Sequence, residues 1–125
     1  MDGVNYTSES YSGVEILFRR FTGPLTIEKE NEMLAYAVEK GLINENVRGM
    51  VLDMRSAKFD FSPEDAKKIL DFVESDPKLA KLKYALLLET PEQVVYPLIG
   101  ATYKESALIK PFSTEAAAIN WIVAE

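Results

Sequence analysis

Two oppositely charged residues, Asp53 and Arg55, follow the apolar run Met50-Val51-Leu52. Because side chains alternate along a strand, both should point to one side, with Met54 on the other. A carboxylate and a guanidinium placed together can bind a polar ligand or a partner protein. They can also pair with each other, and a solvated pair of this kind contributes little to stability. We predict Asp53 and Arg55 as partner- or ligand-binding residues.

A hydroxyl group, that of Ser62, stands at a strongly marked helix start, since Pro63 and Asp65 follow it. A phosphate on Ser62 would meet backbone N–H groups and the positive end of the helix dipole, so one interpretation is a phosphoacceptor. Serine is also among the preferred N-cap residues whatever the function of the protein. We favour the N-cap interpretation.

Three carboxylates, those of Asp60, Glu64 and Asp65, surround this helix start. They suggest a Mg²⁺ site or acid–base chemistry, but acidic residues in a first helical turn are stabilising in their own right. A hard cation needs several oxygens that converge from more than one segment. We therefore predict no metal site and no cofactor.

The composition removes several classes of chemistry. The chain has 125 residues, of which 47% are apolar, and it contains neither cysteine nor histidine. Disulfides, thiol or histidine catalysis and zinc sites with nitrogen or sulfur ligands are therefore excluded. A formal net charge of −6 opposes binding to a phosphate backbone, so we expect no nucleic-acid partner.

The sequence also lacks the patterns that are typical of a signal peptide or a membrane span. The first residues, Met-Asp-Gly-Val-Asn, lack the positive and apolar regions of a signal peptide. No apolar run approaches the roughly 20 residues that a membrane span requires. We expect a cytoplasmic protein.

The elements that must position these residues follow from hydrophobic periodicity and from helix caps. Apolar stretches predict strands at 4–8, 14–21, 47–54, 84–88 and 108–112, the first two forming a hairpin and Gly23-Pro24 ending the second. Amphipathic patterns predict helices that begin after the caps Thr26, Ser62, Thr90, and Ser113 or Thr114. The first helix ends at Gly41, the second before Pro77, and Pro97 should kink the third.

This order, ββαβαβαβα, defines an α/β fold with four main helices. Strands that alternate with amphipathic helices predict a mostly parallel five-stranded sheet, with an antiparallel hairpin at its N-terminal end. Pro111 places the last strand at the sheet edge or at its own end. One domain, 1–125, accommodates the whole pattern.

Four short segments, together with the element order, resemble one known family. They are Gly23-Pro24-Leu25-Thr26 before the first helix, Val51-Leu52-Asp53-Met54-Arg55 leading to Ser62-Pro63-Glu64-Asp65, and Phe112-Ser113-Thr114-Glu115-Ala116 before Trp121-Ile122. In these features the chain resembles the STAS-like superfamily of the bacterial anti-sigma-factor antagonists, and in particular its small uncharacterised bacterial branch.

The resemblance implies sequential strand order, no intrinsic enzymatic activity, and recognition of partners, small ligands or nucleotides at one end of the sheet. In the antagonists, a serine at the start of the second helix is a phosphorylation switch. Ser62 stands close to that position. Its neighbours here are Phe61 and Pro63, and the tandem serine and the glycine of the antagonist motif are missing.

We therefore predict a non-catalytic regulatory or binding module of the bacterial cytoplasm that acts mainly through protein–protein contacts. Its surface should be built from the loops at the carboxyl ends of the strands, around Thr22, Asp53, Arg55, Ser62, Glu89 and Thr90.

Two alternatives to protein binding remain open. One is a hydrophobic small molecule or lipid in a pocket beside the apolar helix that contains Pro97, a helix that could also form a homodimer. The other is a carboxylate-dependent hydrolase that uses Asp53 or Asp60. The sequence shows no nucleophile–base pair or oxyanion motif to support it.

Overall fold

The computed structural model describes residues 2–60, 62–89 and 109–124, which form an α/β fold around one five-stranded sheet. The strands lie across the sheet in chain order, β1 and β2 pair antiparallel, and the other neighbours pair parallel. The strands are β1 Val4–Tyr11, β2 Val14–Thr26, β3 Val47–Asp60, β4 Lys83–Leu87 and β5 Ile109–Phe112. The mostly parallel sheet and the N-terminal hairpin are as predicted, and β5 lies at an edge.

The N-terminal hairpin is longer than the sequence pattern predicts. Its turn consists only of Ser12 and Gly13, both with positive φ (52° and 81°), as a type I′ turn requires. Pairing extends to Tyr11 opposite Val14, so the polar residues 9–11 belong to β1 and not to a loop. An edge strand can present polar side chains to solvent, which is why the drop in hydrophobicity did not mark its end.

The first helix, α1 (Ile27–Glu39), begins and ends as predicted. Thr26 is the N-cap, and its hydroxyl accepts a hydrogen bond from the backbone N–H three residues on. At the other end Gly41 has a φ of 69°, and the N–H of Leu42 donates to the carbonyl of Ala37 at 3.0 Å. This left-handed glycine closes the helix in a Schellman motif.

The third strand corrects one prediction. The sequence predicts a loop after Met54, whereas β3 runs on to Asp60 and pairs with the end of β2, from Thr22 opposite Ser56 to Thr26 opposite Asp60. We call these two paired segments the β2–β3 ribbon. The ribbon extends beyond β4, whose last pair with β3 is Leu87 opposite Asp53.

Gly23-Pro24 does not end β2 either, which is a second correction. Proline lacks a backbone N–H and is tolerated in a strand where no neighbouring strand needs that donor. β1 begins at Val4, opposite Phe21, so no residue of β1 pairs with β2 beside Pro24. The strand can therefore continue through the proline into Thr26.

The remaining helices have local start signals that the structure confirms. Ser62 and Asp65 form a capping box at the start of α2 (Pro63–Ser75), and a short 3₁₀ turn, Leu79–Lys81, precedes β4. Thr114 is the N-cap of α3 (Glu115–Val123). The helix predicted from Thr90, with its Pro97 kink, lies outside the described residues.

The sheet is covered on both faces. Side chains of α1 and α2 pack on one face, which we call the α1–α2 face, and Ala118 and Ile122 of α3 pack on the other, the α3 face. Gly49 of β3 allows α3 to approach closely, because a Cβ there would lie 2.3 Å from Cγ2 of Ile122. In the described ranges, no helix is long and apolar enough to cross a membrane.

Candidate functional site

An arginine–aspartate pair joins β2 to β3 on the α3 face. Arg20 lies opposite Asp53 in the register, and its Nη1 is 3.4 Å from Oδ2 of Asp53. Both residues lie on the α3 face because they alternate with Arg19 and Leu52, which belong to the opposite side. Asp53 is also the last residue of β3 that pairs with β4, where it lies opposite Leu87.

Asp53 and Arg55 lie on the same side of β3, as strand alternation predicts. Arg55 donates from Nε to Oδ1 of Asp53 at 3.0 Å and from Nη2 to Oδ2 at 2.9 Å. The backbone N–H of Arg55 also donates to Oδ1 at 3.2 Å. The two side chains therefore form a bidentate pair that is held to the main chain.

Glu115, in the first turn of α3, connects both arginines. Its Oε1 lies 3.2 Å from Nη2 of Arg20, and its Oε2 lies 3.9 Å from Nη2 of Arg55. Glu9 of β1 lies 3.9 Å from Arg20. We call Glu9, Arg20, Asp53, Arg55 and Glu115 the Asp53 cluster. Three carboxylates and two guanidinium groups give it a formal charge of −1.

The environment of Asp53 favours its ionised form. Burial raises the pKa of Asp53, but the hydrogen bonds from the side chain and backbone of Arg55, together with the charges of Arg55 and Arg20, outweigh it. The net result is a pKa below the ordinary value. In turn, the hydrogen bond to Asp53 raises the pKa of Arg55.

This arrangement suits binding better than proton transfer. A general base at neutral pH needs a pKa near the working pH and a lone pair within reach of the substrate. Asp53 has a lowered pKa, and both of its oxygens already accept hydrogen bonds from arginine. In residues 2–60, 62–89 and 109–124, no three acidic residues are grouped so that they could hold a metal ion.

Ser62 lies apart from the Asp53 cluster. Because β3 continues from Asp53 to Asp60, the two sites are separated by a strand segment of roughly 20 Å. The hydroxyl of Ser62 accepts a hydrogen bond from the N–H of Asp65 at 3.1 Å, and the carboxylate of Asp65 accepts one from the N–H of Ser62 at 3.2 Å. The serine is exposed and acts as an N-cap.

The other predicted residues are also dispersed. Thr22 is exposed at the start of the ribbon, donates its backbone N–H to the carbonyl of Gly3 at 3.0 Å, and lines an open surface cavity of about 500 Å³ on the side of α1. Glu89 is exposed just after β4. Thr90 lies outside the described residues. The structure thus brings together Asp53 and Arg55, but not Thr22 or Ser62.

Sequence reasoning missed three members of the cluster, namely Glu9, Arg20 and Glu115. A signal for one of them is visible in the sequence, since Arg19 and Arg20 are consecutive arginines inside an apolar strand. Adjacent strand residues face opposite sides, so each arginine of a central strand needs its own partner. Glu115 had the appearance of an ordinary acidic first-turn residue.

Comparisons with known proteins identify the fold. No protein-family model and no curated protein sequence matches the chain at a significant level. Among solved structures, the chain is similar to an uncharacterised protein of the DUF3478 family from Shewanella loihica, described as having a SpoIIAA-like fold. The TM-score is 0.64 at 18% identity, over 96% of this chain and 94% of that one.

The chain is also similar to the anti-sigma factor antagonist SpoIIAA in its unphosphorylated form, with a TM-score of 0.52 at 14% identity, over 97% of this chain and 100% of that one. At these identities the likeness concerns the fold. The sequence patterns predicted the same architecture. The chain therefore has the STAS-like fold of SpoIIAA.

Proposed function

We propose that this chain is a non-catalytic regulatory or binding module of the bacterial cytoplasm, and that it binds another protein at the Asp53 cluster. One observation supports this most directly. The guanidinium of Arg55 is held by Asp53, and yet the side chain of Arg55 remains 41% exposed, at the point where the sheet narrows into the β2–β3 ribbon. Arginines that are both ordered and exposed are common contact residues in protein interfaces.

The fold supports a regulatory role. SpoIIAA, which shares this architecture, is an anti-sigma factor antagonist, and it is therefore a protein with a regulatory task. Ligand and partner sites of α/β sheets usually lie at the carboxyl ends of the strands. The Asp53 cluster lies level with the carboxyl end of β4, because Asp53 pairs with Leu87, and α3 joins it through Glu115.

The hydrolase alternative gains no support from Asp53, because its ionised carboxylate is engaged by two arginines. The pocket proposed beside Pro97, and with it the lipid alternative and the homodimer, concerns residues outside the described ranges. Protein binding at the Asp53 cluster is therefore the function that we carry forward.

The test is affinity capture with chemical crosslinking from the native host, using the tagged wild-type chain, Arg55→Ala, and Arg48→Ala as the matched control. Arg48 is an exposed arginine of β3 near the opposite end of the strand. We expect wild type and Arg48→Ala to enrich the same protein, and Arg55→Ala to lose it.

Two results count against the proposal. If no protein is enriched over a tag-only control, the chain is not a protein-binding module under these conditions of growth. If Arg55→Ala retains the partner as well as wild type does, the contact surface lies elsewhere. Circular dichroism of each variant confirms that a lost partner does not reflect unfolding.

A further inference from the structure

The guanidinium of Arg55 has one occupied edge and one open edge. Nε and Nη2 form the side edge, and both donate to the carboxylate of Asp53. Nη1 and Nη2 form the end edge, and Nη1 has no hydrogen-bond partner among the described residues. A guanidinium presents five N–H donors in a planar fork, so the end edge can still take a second carboxylate with two parallel hydrogen bonds.

This open edge is ordered before any partner arrives. Asp53, whose side chain is only 11% exposed, receives hydrogen bonds from Arg20 and from both the backbone and the side chain of Arg55. A free arginine side chain loses rotamer freedom when it binds, and this costs part of the affinity. In Arg55 much of that ordering is already present in the unbound protein.

We propose that Arg55 is the residue that recognises the partner, and that it binds the carboxylate of an aspartate or glutamate through Nη1 and Nη2. Asp53 is a positioning residue that fixes the plane of the guanidinium. This inference rests on the proposed function and specifies the chemistry of its contact.

The charges around Arg55 favour a carboxylate over a phosphate group. Glu115 lies 3.9 Å from Nη2 of Arg55, and the Asp53 cluster has a formal charge of −1. A second negative charge on the incoming group would be repelled by these neighbouring carboxylates. A singly charged carboxylate gains the two hydrogen bonds with less repulsion.

The test uses acetate as the probe and nuclear magnetic resonance of the arginine side chains in the ¹⁵N-labelled chain. The comparison is internal, between Arg55 and the exposed Arg48 of the same strand. We expect the Arg55 signals to reach half-saturation at about two- to tenfold lower acetate concentration, the factor that corresponds to the ordering of one side chain. Equal titration of the two arginines would overturn the proposal, as would tighter binding of methyl phosphate than of acetate.

The variant Asp53→Asn separates positioning from charge. Removal of a negative charge should by itself strengthen acetate binding at Arg55, whereas loss of the carboxylate that orders the guanidinium should weaken it. We expect weaker binding, with Arg55 becoming similar to Arg48. Stronger binding would show that Asp53 acts only through its charge and not by positioning.

Partner capture with Arg55→Lys then distinguishes this inference from the proposed function. Lysine keeps the positive charge but cannot form the planar two-point contact. Loss of the partner supports the inference, and full retention overturns it while leaving the binding module intact. Failure of the wild-type chain to capture any protein would count against the proposed function, on which this inference rests, whereas the acetate titration tests the carboxylate preference of Arg55 without a partner.

Discussion

The buried ion pair between Arg19 and Glu30 offers a sharp test of how this fold is held together. Arg19 of β2 donates from Nη2 to the carboxylate of Glu30 of α1, and their side chains are 2% and 6% exposed. The guanidinium also lies over the ring of Phe21, with 4.9 Å between its carbon and the ring centroid. The Nε of Arg19 has no hydrogen-bond partner in the described part of the chain.

The expected magnitudes follow from this burial. Arg19→Met should keep most of the packing against Phe21 but leave the carboxylate of Glu30 buried without its cation, at a cost of about 3–5 kcal/mol. Replacement of both partners, Arg19→Met with Glu30→Leu, removes two desolvated charges and the unsatisfied Nε. Since such replacements are often neutral or favourable, the double variant should equal or exceed the wild-type stability, by up to about 4 kcal/mol.

The assay is urea unfolding followed by circular dichroism, with the free energy of unfolding compared across wild type, both single variants and the double variant. Arg48→Met is the control, because an exposed arginine on the next strand should change stability by no more than about 0.5 kcal/mol. A loss below about 1 kcal/mol in Arg19→Met would refute the reasoning. Additive losses in the double variant would do so as well.

Three further predictions concern the caps, the packing of α3 and the site. Ser62→Ala should cost about 1 kcal/mol of unfolding free energy in urea titrations, while Ser62→Asn, which can still accept the N–H of Asp65, should cost less than half as much. Gly49→Ala should cost about 1–3 kcal/mol, because the added Cβ meets Ile122 at 2.3 Å, and Ile122→Ala should recover part of this loss when both changes are combined. Asp53→Asn should lower stability most at pH values above the unfolded-state pKa of about 3.9, and this loss should shrink as pH falls further, through the lower pKa that Asp53 has in the folded state; a pH-independent difference would contradict this.

Helix starts were predictable from the sequence because their causes are local. Thr26, Ser62 and Thr114 each accept a hydrogen bond from a backbone N–H only three residues away. The information that defines such a cap is contained in four consecutive residues. The same holds for Gly41, whose left-handed conformation ends α1.

The β2–β3 ribbon was not predictable in the same way. Its strands are joined by pairing between segments that are distant in the sequence, such as Thr22 with Ser56. Locally, Gly23-Pro24 indicates a strand end, and the polar residues after Met54 indicate a loop. Tertiary pairing outweighs both signals, as it often does for strands.

The site was predictable only within one strand. Asp53 and Arg55 share a side because of alternation, which is a local property. Arg20 contacts Asp53 across 33 residues of sequence, and it contacts Glu115 across 95. The sequence around Arg20 and Glu115 does not indicate which residues they contact. The members of the cluster could therefore be identified only from the fold.

The two adjacent arginines of β2, Arg19 and Arg20, also help to define the register of this strand in the sheet. Arg19 finds Glu30 on the α1–α2 face, and Arg20 finds Asp53 and Glu115 on the α3 face. If β2 slipped by one residue against its neighbours, every side chain would move to the opposite face, and Phe18 would exchange places with a charged neighbour. Both guanidinium groups would then lose their carboxylates at once. A one-residue slip of β2 would thus separate two consecutive arginines from their carboxylates, and this favours the observed register over the slipped one.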